Sequence, residues 1–321
     1  MSRLPVVSLA DPVSAVPLVA KACADVGFLT IVDHGIGDDV LDDVWTTATA
    51  FFDLPDEVKQ TVAMPKPGYP YGWAPFAYET LTASLGRTSP PDLKESFAIG
   101  PVDAARHAFA DADEAFAWSP NLWPVALPSM QPAWERAFRG FAALAARLLS
   151  IMARALALPA DHFEPMIDRH TSAMRALNYP PLDRVPLPGQ LRAGAHTDYG
   201  TLTILLARPG QPGLQVQRPG STWIAADPVE GGLVVNLGDA MARWTNDRWR
   251  STMHRVVVPS ATDAVASGNT RRQSIAFFHN ANWDARIECI PSCLAPGERP
   301  RYAPIDAGPH LMHKFRSTVG T

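Results

Sequence analysis

Beyond residue 170 the chain breaks into eight short β-rich runs, at 174–179, 201–207, 214–217, 222–226, 233–237, 254–258, 273–279 and 285–290. Gly, Pro, Asp and Asn fill the gaps between them. Parallel strands need a crossover of a dozen or more residues, usually a helix, and no helical pattern lies between these runs. The spacing therefore predicts an antiparallel sandwich or jelly roll and excludes a parallel α/β sheet.

The N-terminal half has a different texture. Helices are expected over 15–26 and 38–52, on either side of an apolar strand at 28–32 and a turn at 33–36. Residues 65–91 are dense in Pro, Gly, Tyr and Trp and read as an irregular surface or pocket-lining segment. From Pro132 a helix of about six turns puts Phe138, Phe141, Leu144, Leu148, Ile151 and Met152 on one face. Arg136, Arg139, Arg147, Ser150 and Arg154 fall mainly on another, and Pro159 is the expected stop. A last helix is expected near 311–315. The fold class is α+β with a mainly β core: a distorted jelly roll (double-stranded β-helix) with packed helices.

Composition removes several function classes. With 28 basic and 32 acidic residues in 321, no basic excess exists to hold nucleic acid or an anionic membrane. A 47% hydrophobic content at net charge −4 rules out disorder. Three cysteines make no disulfide framework, and Cys289 with Cys293 reads more simply as two buried thiols than as a metal site. Asp11, Lys21 and Asp25 interrupt every apolar run of a would-be signal peptide, and Arg147, Ser150 and Arg154 interrupt the most hydrophobic later stretch. A cytoplasmic setting is expected, with no membrane partner.

Phosphate-binding GxGxxG and GxxxxGK[ST], the hydrolase GxSxG and the zinc HExxH are all missing. His196-Thr197-Asp198 stands out, immediately before an apolar strand. Residues two apart on an extended segment project to one side, so imidazole and carboxylate can reach one ion. His254, 56 residues after Asp198, supplies a third ligand. Two His and one carboxylate on one side of a metal leave open positions opposite, the facial arrangement of non-haem Fe(II) oxygenases. By itself the HxD also fits a hydrogen-bonded surface pair. Arg272 and Ser274 sit two apart on a predicted strand, and Arg suits bidentate capture of a carboxylate. Tyr179, ending another strand, offers a phenol to the same anion; a structural ion pair and a core tyrosine are the competing readings.

Taken together these segments resemble the isopenicillin N synthase-like 2-oxoglutarate/Fe(II)-dependent dioxygenase family. The run from His196 to Thr203, HTDYGTLT, is similar to its iron-binding strand, and the run from Gly232 to Val256 to the segment with its distal histidine. Arg272-Gln273-Ser274 is similar to its RxS motif, and Tyr179-Pro180-Pro181 to the tyrosine near the end of its first core strand. Val26-Gly27-Phe28 through Asp33-His34-Gly35-Ile36, and Asp92-Leu93-Lys94-Glu95-Ser96-Phe97, match its N-terminal segments in order. Two departures stand: Asn246-Asp247 where the family often has Asn-Gly, and Leu177 where plant members carry Asn. The spacing from His254 to Arg272 is a little long, which points to a hairpin loop at 260–269.

The resemblance implies His196, Asp198 and His254 as iron ligands and Arg272, Ser274 and Tyr179 as holders of 2-oxoglutarate. It implies Fe(II), 2-oxoglutarate and O2 as the chemical partners, with ascorbate as the reductant in assays. The implied activity oxidises a small-molecule metabolite, by hydroxylation, desaturation or cyclisation, with release of succinate and CO2. A same-fold iron oxidase without 2-oxoglutarate and a non-catalytic ligand binder are the alternatives. The chain divides into an N-terminal α/β region (1–110), helical support (111–170), the jelly-roll core (171–290) and a C-terminal tail and helix (291–321), as one integrated catalytic domain. Trp73, Tyr71, Arg175 and Phe278 are the candidate substrate residues, with Trp73 and Tyr71 closing over the iron opposite Arg272. Pocket shape is expected to come from 65–91 and 285–300.

Overall fold

A computed structural model describes residues 3–319 apart from positions 67, 87, 106, 183, 184, 221 and 260–269; the expected hairpin loop at 260–269 lies outside the described residues. Two sheets carry the architecture. The larger comprises β1 (Val6–Ser8), β2 (Phe28–Val32), β3 (Gly72–Ala74), β4 (Glu95–Ile99), β5 (Ala173–Tyr179), β7 (Leu202–Leu206), β10 (Leu233–Leu237) and β12 (Arg272–His279). Its order is β1-β2-β10-β7-β12-β5-β4-β3, antiparallel except for the β1–β2 pair. The smaller comprises β6 (Ala193–His196), β8 (Leu214–Gln217), β9 (Trp223–Ala225) and β11 (His254–Val256), in the order β6-β11-β8-β9.

Alternation along the strands decides what each face of the large sheet meets. Met174 and Ala176 of β5, Ile204 of β7 and Ile275 and Phe277 of β12 are buried in the main core, which also takes in the helices. That core includes α1 (Pro12–Asp25), α2 (Asp38–Phe52) and the 26-residue α5 (Met130–Ala155). The α5 face expected from periodicity is the buried one, and Phe138 meets Phe277 edge-on at 5.0 Å. The other face of the large sheet looks toward the small one. Phe28, Tyr179 and Val234 form a second core with Ala193, Leu214, Val216 and Val256. Two antiparallel sheets with a cavity between them and helices outside make the jelly roll.

Three details differ from the sequence reading. The run at 285–290 contributes only β13 (Arg286–Ile287), which pairs with β14 (Ile305–Asp306) outside both sheets. The helix α5 stops at Ala155, ahead of Pro159, because Ala157 turns left-handed at φ 59° and Leu158 N–H caps Ala153. The segment 65–91 is not wholly irregular, since β3 within it forms the sheet edge against β4. The short helices α3 (Asp56–Lys59), α4 (Ala112–Ala117) and α6 (Asp239–Trp244) and a final α7 (Ala307–Val319) complete the fold. Among the described residues no helix is long and apolar enough to cross a membrane.

Candidate active site

Strand register builds the site. Within the small sheet His254 of β11 lies directly opposite His196 of β6, bringing the two ring centroids to 4.2 Å. The chain leaves β6 after His196, and Asp198 sits in the following loop with Oδ1 3.9 Å from His196 Nε2 and 3.7 Å from His254 Nε2. One ligand atom from each of the three lies within 4.8 Å of the others. Among the described residues no other group of three His, Cys, Asp or Glu converges this way. Cys289 and Cys293 are free thiols outside any such group.

The far side of each candidate ligand is already occupied. His196 Nδ1 is 2.7 Å from the Gly194 carbonyl and His254 Nδ1 is 3.1 Å from that of Thr252. A carbonyl only accepts, so both Nδ1 atoms carry the proton and both Nε2 atoms keep a lone pair facing Asp198. Asp198 Oδ2 accepts from Thr203 Oγ1 at 2.6 Å and Asn236 Nδ2 at 2.7 Å, which leaves Oδ1 for the shared space. Burial, followed by His254, pushes the His196 imidazole down to about 3, so it stays neutral. Burial works against the Asp198 charge, but the two imidazoles and the Asn236 and Thr203 bonds hold its carboxyl below the usual range. Two imidazoles with Nε2 on the shared side and a carboxylate aimed at the same point fit a divalent first-row metal. Gly200 lets the loop after Asp198 pass: a Cβ there would sit 2.3 Å from the His279 carbonyl.

Across the cavity, β12 pairs with β5 so that Arg272 faces Tyr179 and Ser274 faces Leu177. Arg272, Ser274, Ala276 and Phe278 line the cavity from one strand, and Ala173, Arg175, Leu177 and Tyr179 from the other. Arg272 Nη1 donates to Ser274 Oγ at 3.1 Å and its guanidinium stacks 5.0 Å from the Tyr179 ring. Arg272 is 2% exposed, yet its Nε has no hydrogen-bond partner. A buried cation with an orphaned donor fits a carboxylate from outside the chain, as the distal end of 2-oxoglutarate would supply.

The cavity holds about 240 Å³ between these two clusters. Of the candidate substrate residues, Tyr71, Arg175 and Phe278 line it. Trp73 does not: it is 4% exposed in the main core, where its Nε1 donates to Glu95 at 2.8 Å and Lys59 lies over its ring. The β3 pleat turns it away from the site, and the expectation that it closes over the iron is corrected. Asn178 likewise faces away and donates to Glu95 at 2.8 Å. His279 is buried against Thr201 at 2.7 Å, while His34 serves its turn by accepting from Ile36 N–H.

Several lining groups escaped sequence reasoning. Glu79 receives Arg175 at 2.8 Å and Lys94 at 3.0 Å, and Lys94 also reaches Asp92 at 3.0 Å. Burial alone would raise the Glu79 carboxyl, but Arg175 and Lys94 overcome it and bring it to about 2. The residues 285–300 line no part of the cavity; Leu311, Met312 and Phe315 of α7 do so instead, beside Phe116 of α4. The helical spacing of 311, 312 and 315 was the available signal.

Comparison with known proteins adds an independent line. Residues 171–281 match the family model described as the 2OG-Fe(II) oxygenase superfamily, and residues 2–126 match "non-haem dioxygenase in morphine synthesis N-terminal". The chain is 32% identical over 308 residues to a 2-oxoglutarate-Fe(II) type oxidoreductase of Emericella nidulans, covering 94% of this chain and 84% of that protein. It is 31% identical to a validamycin A dioxygenase of Streptomyces hygroscopicus subsp. limoneus, covering 94% and 80%. The crystal structure of a full-length Neurospora crassa protein in complex with alpha-KG and thymine superposes at TM-score 0.83 and 29% identity, covering 98% of this chain and 96% of that one.

Proposed function

This chain belongs to the 2OG-Fe(II) oxygenase superfamily, and from that premise we propose that His196, Asp198 and His254 hold its iron while Arg272, Ser274 and Tyr179 hold the distal carboxylate of 2-oxoglutarate. The enzyme is a 2-oxoglutarate-dependent non-haem iron dioxygenase acting on a small molecule. The observation that carries the assignment is the convergence of three ligand atoms within 4.8 Å whose outer partners are all satisfied.

Bound together, Fe(II), 2-oxoglutarate and O2 supply the oxidation, with release of succinate and CO2. The chain's own residues orient and enclose. Gly194 and Thr252 fix the histidine tautomers through their carbonyls, and Thr203 and Asn236 fix the carboxylate. Arg272 sits at the opposite end, so the co-substrate is aligned between a cation and the metal-ligand cluster. Phe28, Leu81, Leu205, Phe278, Met312 and Phe315 give the cavity a mostly apolar wall that keeps water from the reacting centre.

For the substrate, Tyr71, Arg175 and Phe278 form its side of the cavity. Arg175 commits Nη1 to Glu79, and its side chain stays 24% exposed toward the cavity. A small, largely apolar molecule with one hydrogen-bond acceptor or carboxylate fits that lining, and hydroxylation is the expected outcome.

The test combines two variants. Asp198→Ala should lose Fe(II) binding by metal titration and all succinate production, with the fold retained by circular dichroism. Arg272→Ala removes a buried charged hydrogen-bonding group, worth roughly 2–5 kcal/mol, so 2-oxoglutarate affinity should fall at least about tenfold. Undiminished Fe(II) binding in the first would sink the triad; undiminished co-substrate affinity in the second would sink the clamp.

A further inference from the structure

Two guanidiniums, not one, are buried at the co-substrate end of the cavity. Arg192 and Arg272 are each 2% exposed, and they lie 6.0 Å and 5.0 Å from the Tyr179 ring centre. Among the described residues neither has a carboxylate partner; Arg272 and Tyr179 act on Arg192, and Tyr179 acts on Arg272. Both keep a buried Nε with no hydrogen bond. Burying one unpaired cation is costly, and burying two side by side costs more unless an anion joins them. Burial, with Arg272 next, pulls the Arg192 guanidinium down to about 10.

Arg192 does not line the cavity, so it cannot grip a ligand itself. Its Nη2 donates to the carbonyls of Thr270 and Pro180. Pro180 directly follows Tyr179 and Thr270 comes two residues before Arg272, so one side chain ties together the strand ends that present the clamp. At low dielectric its charge adds to that of Arg272 at the same anion.

We propose that Arg192 is a positioning residue for the distal carboxylate of 2-oxoglutarate, a second positive charge acting through Tyr179 and Arg272 that sets the preference for a charged-tail 2-oxo acid over a neutral-tail one. This rests on the assignment of Arg272 as the clamp.

The experiment compares 2-oxoglutarate with 2-oxovalerate, which carries a methyl in place of the distal carboxylate. Affinities are measured by calorimetry on anaerobic, Mn(II)-loaded enzyme. In Arg192→Met, 2-oxoglutarate should weaken about tenfold while 2-oxovalerate is unchanged, the signature of a lost charge and not of a loosened cavity. Arg192→Lys keeps the charge and drops the two-carbonyl strut, so the ratio of the two affinities should stay within about threefold of the native one. Equal weakening of both acids in Arg192→Met, or loss of the ratio in Arg192→Lys, overturns the proposal and leaves Arg192 a strut. Should Arg192→Met not fold, Arg192→Gln, which keeps a hydrogen-bond donor and drops the charge, takes its place under the same two criteria. Arg272→Ala runs in parallel: an unchanged 2-oxoglutarate affinity there refutes the underlying clamp, whatever Arg192 does.

Discussion

Glu79 gathers a cluster of charges from Arg175, Lys94 and Asp92. Its carboxylate takes Arg175 and Lys94 together, and Lys94 in turn holds Asp92, which accepts the backbone N–H groups of Leu81 and Gly194. Glu79→Gln leaves two cations facing a neutral amide, and breaking a buried pair by removing one partner costs about 3–5 kcal/mol. The sign with pH follows from a carboxyl depressed from 4.5 to about 2. Its contribution is complete above the unfolded value and is lost as pH falls through the folded one. Urea unfolding should therefore separate wild type from Glu79→Gln widely at pH 7 and progressively less toward pH 2; a constant gap would refute the cluster's role. His196 with Asp198, and Arg272 with Ser274, stood out as pairs two residues apart on segments expected to be extended, whereas His254, 56 residues on, was singled out only beside them. Glu79, Thr203 and Asn236 were not singled out, since each matters only through a partner distant in sequence or across a loop. Trp73 misled because an indole among Pro and Gly looks like a pocket wall, and only the β3 pleat reveals that it faces the core.

Among elements, the apolar β-branched strands were readable and the small-residue ones were not. Of β6, Ala193-Gly194-Ala195-His196, only the histidine was singled out, because Ala and Gly carry no strand preference. Yet β6 pairs His196 with His254 and so brings two of the three proposed metal ligands together. The helix α7 was foreseen as a helix but not as a wall. Its Phe315 lines the cavity and lies 5.9 Å from Phe116. Phe315→Ala should open that wall to water, so that substrate oxidation falls while 2-oxoglutarate decarboxylation continues, read as succinate formed per product. Trp73→Ala should behave oppositely: loss of a buried indole costs about 3–5 kcal/mol and lowers the melting temperature, with the two activities falling together. Uncoupling by Trp73→Ala, or its absence in Phe315→Ala, would reverse these assignments.

At the scale of the whole molecule, co-substrate and metal act on the folded chain alone, because the six residues proposed to hold them span 179–274 and meet only when both sheets form. Ligands at about 100 times Kd add roughly 2.7 kcal/mol to stability. Fe(II) with 2-oxoglutarate under anaerobic conditions should thus raise the melting temperature by about 5 °C, at roughly 2 °C per kcal/mol, the lower end of the range because the chain is large. Chelator should cancel the shift, and Asp198→Ala should show none; a shift that survives chelation would point to binding elsewhere. The cavity walls run from Phe28 to Phe315, far apart along the sequence. On the ribosome, then, the wall of this site cannot close until Phe315 has left the exit tunnel. A nascent chain complete through β12 has all the strands of both sheets while the cavity still lacks its α7 side. Emergence of α7 and enclosure of the cavity are one event in this architecture, and a chain cut ahead of α7 would carry every strand of both sheets and lack one wall.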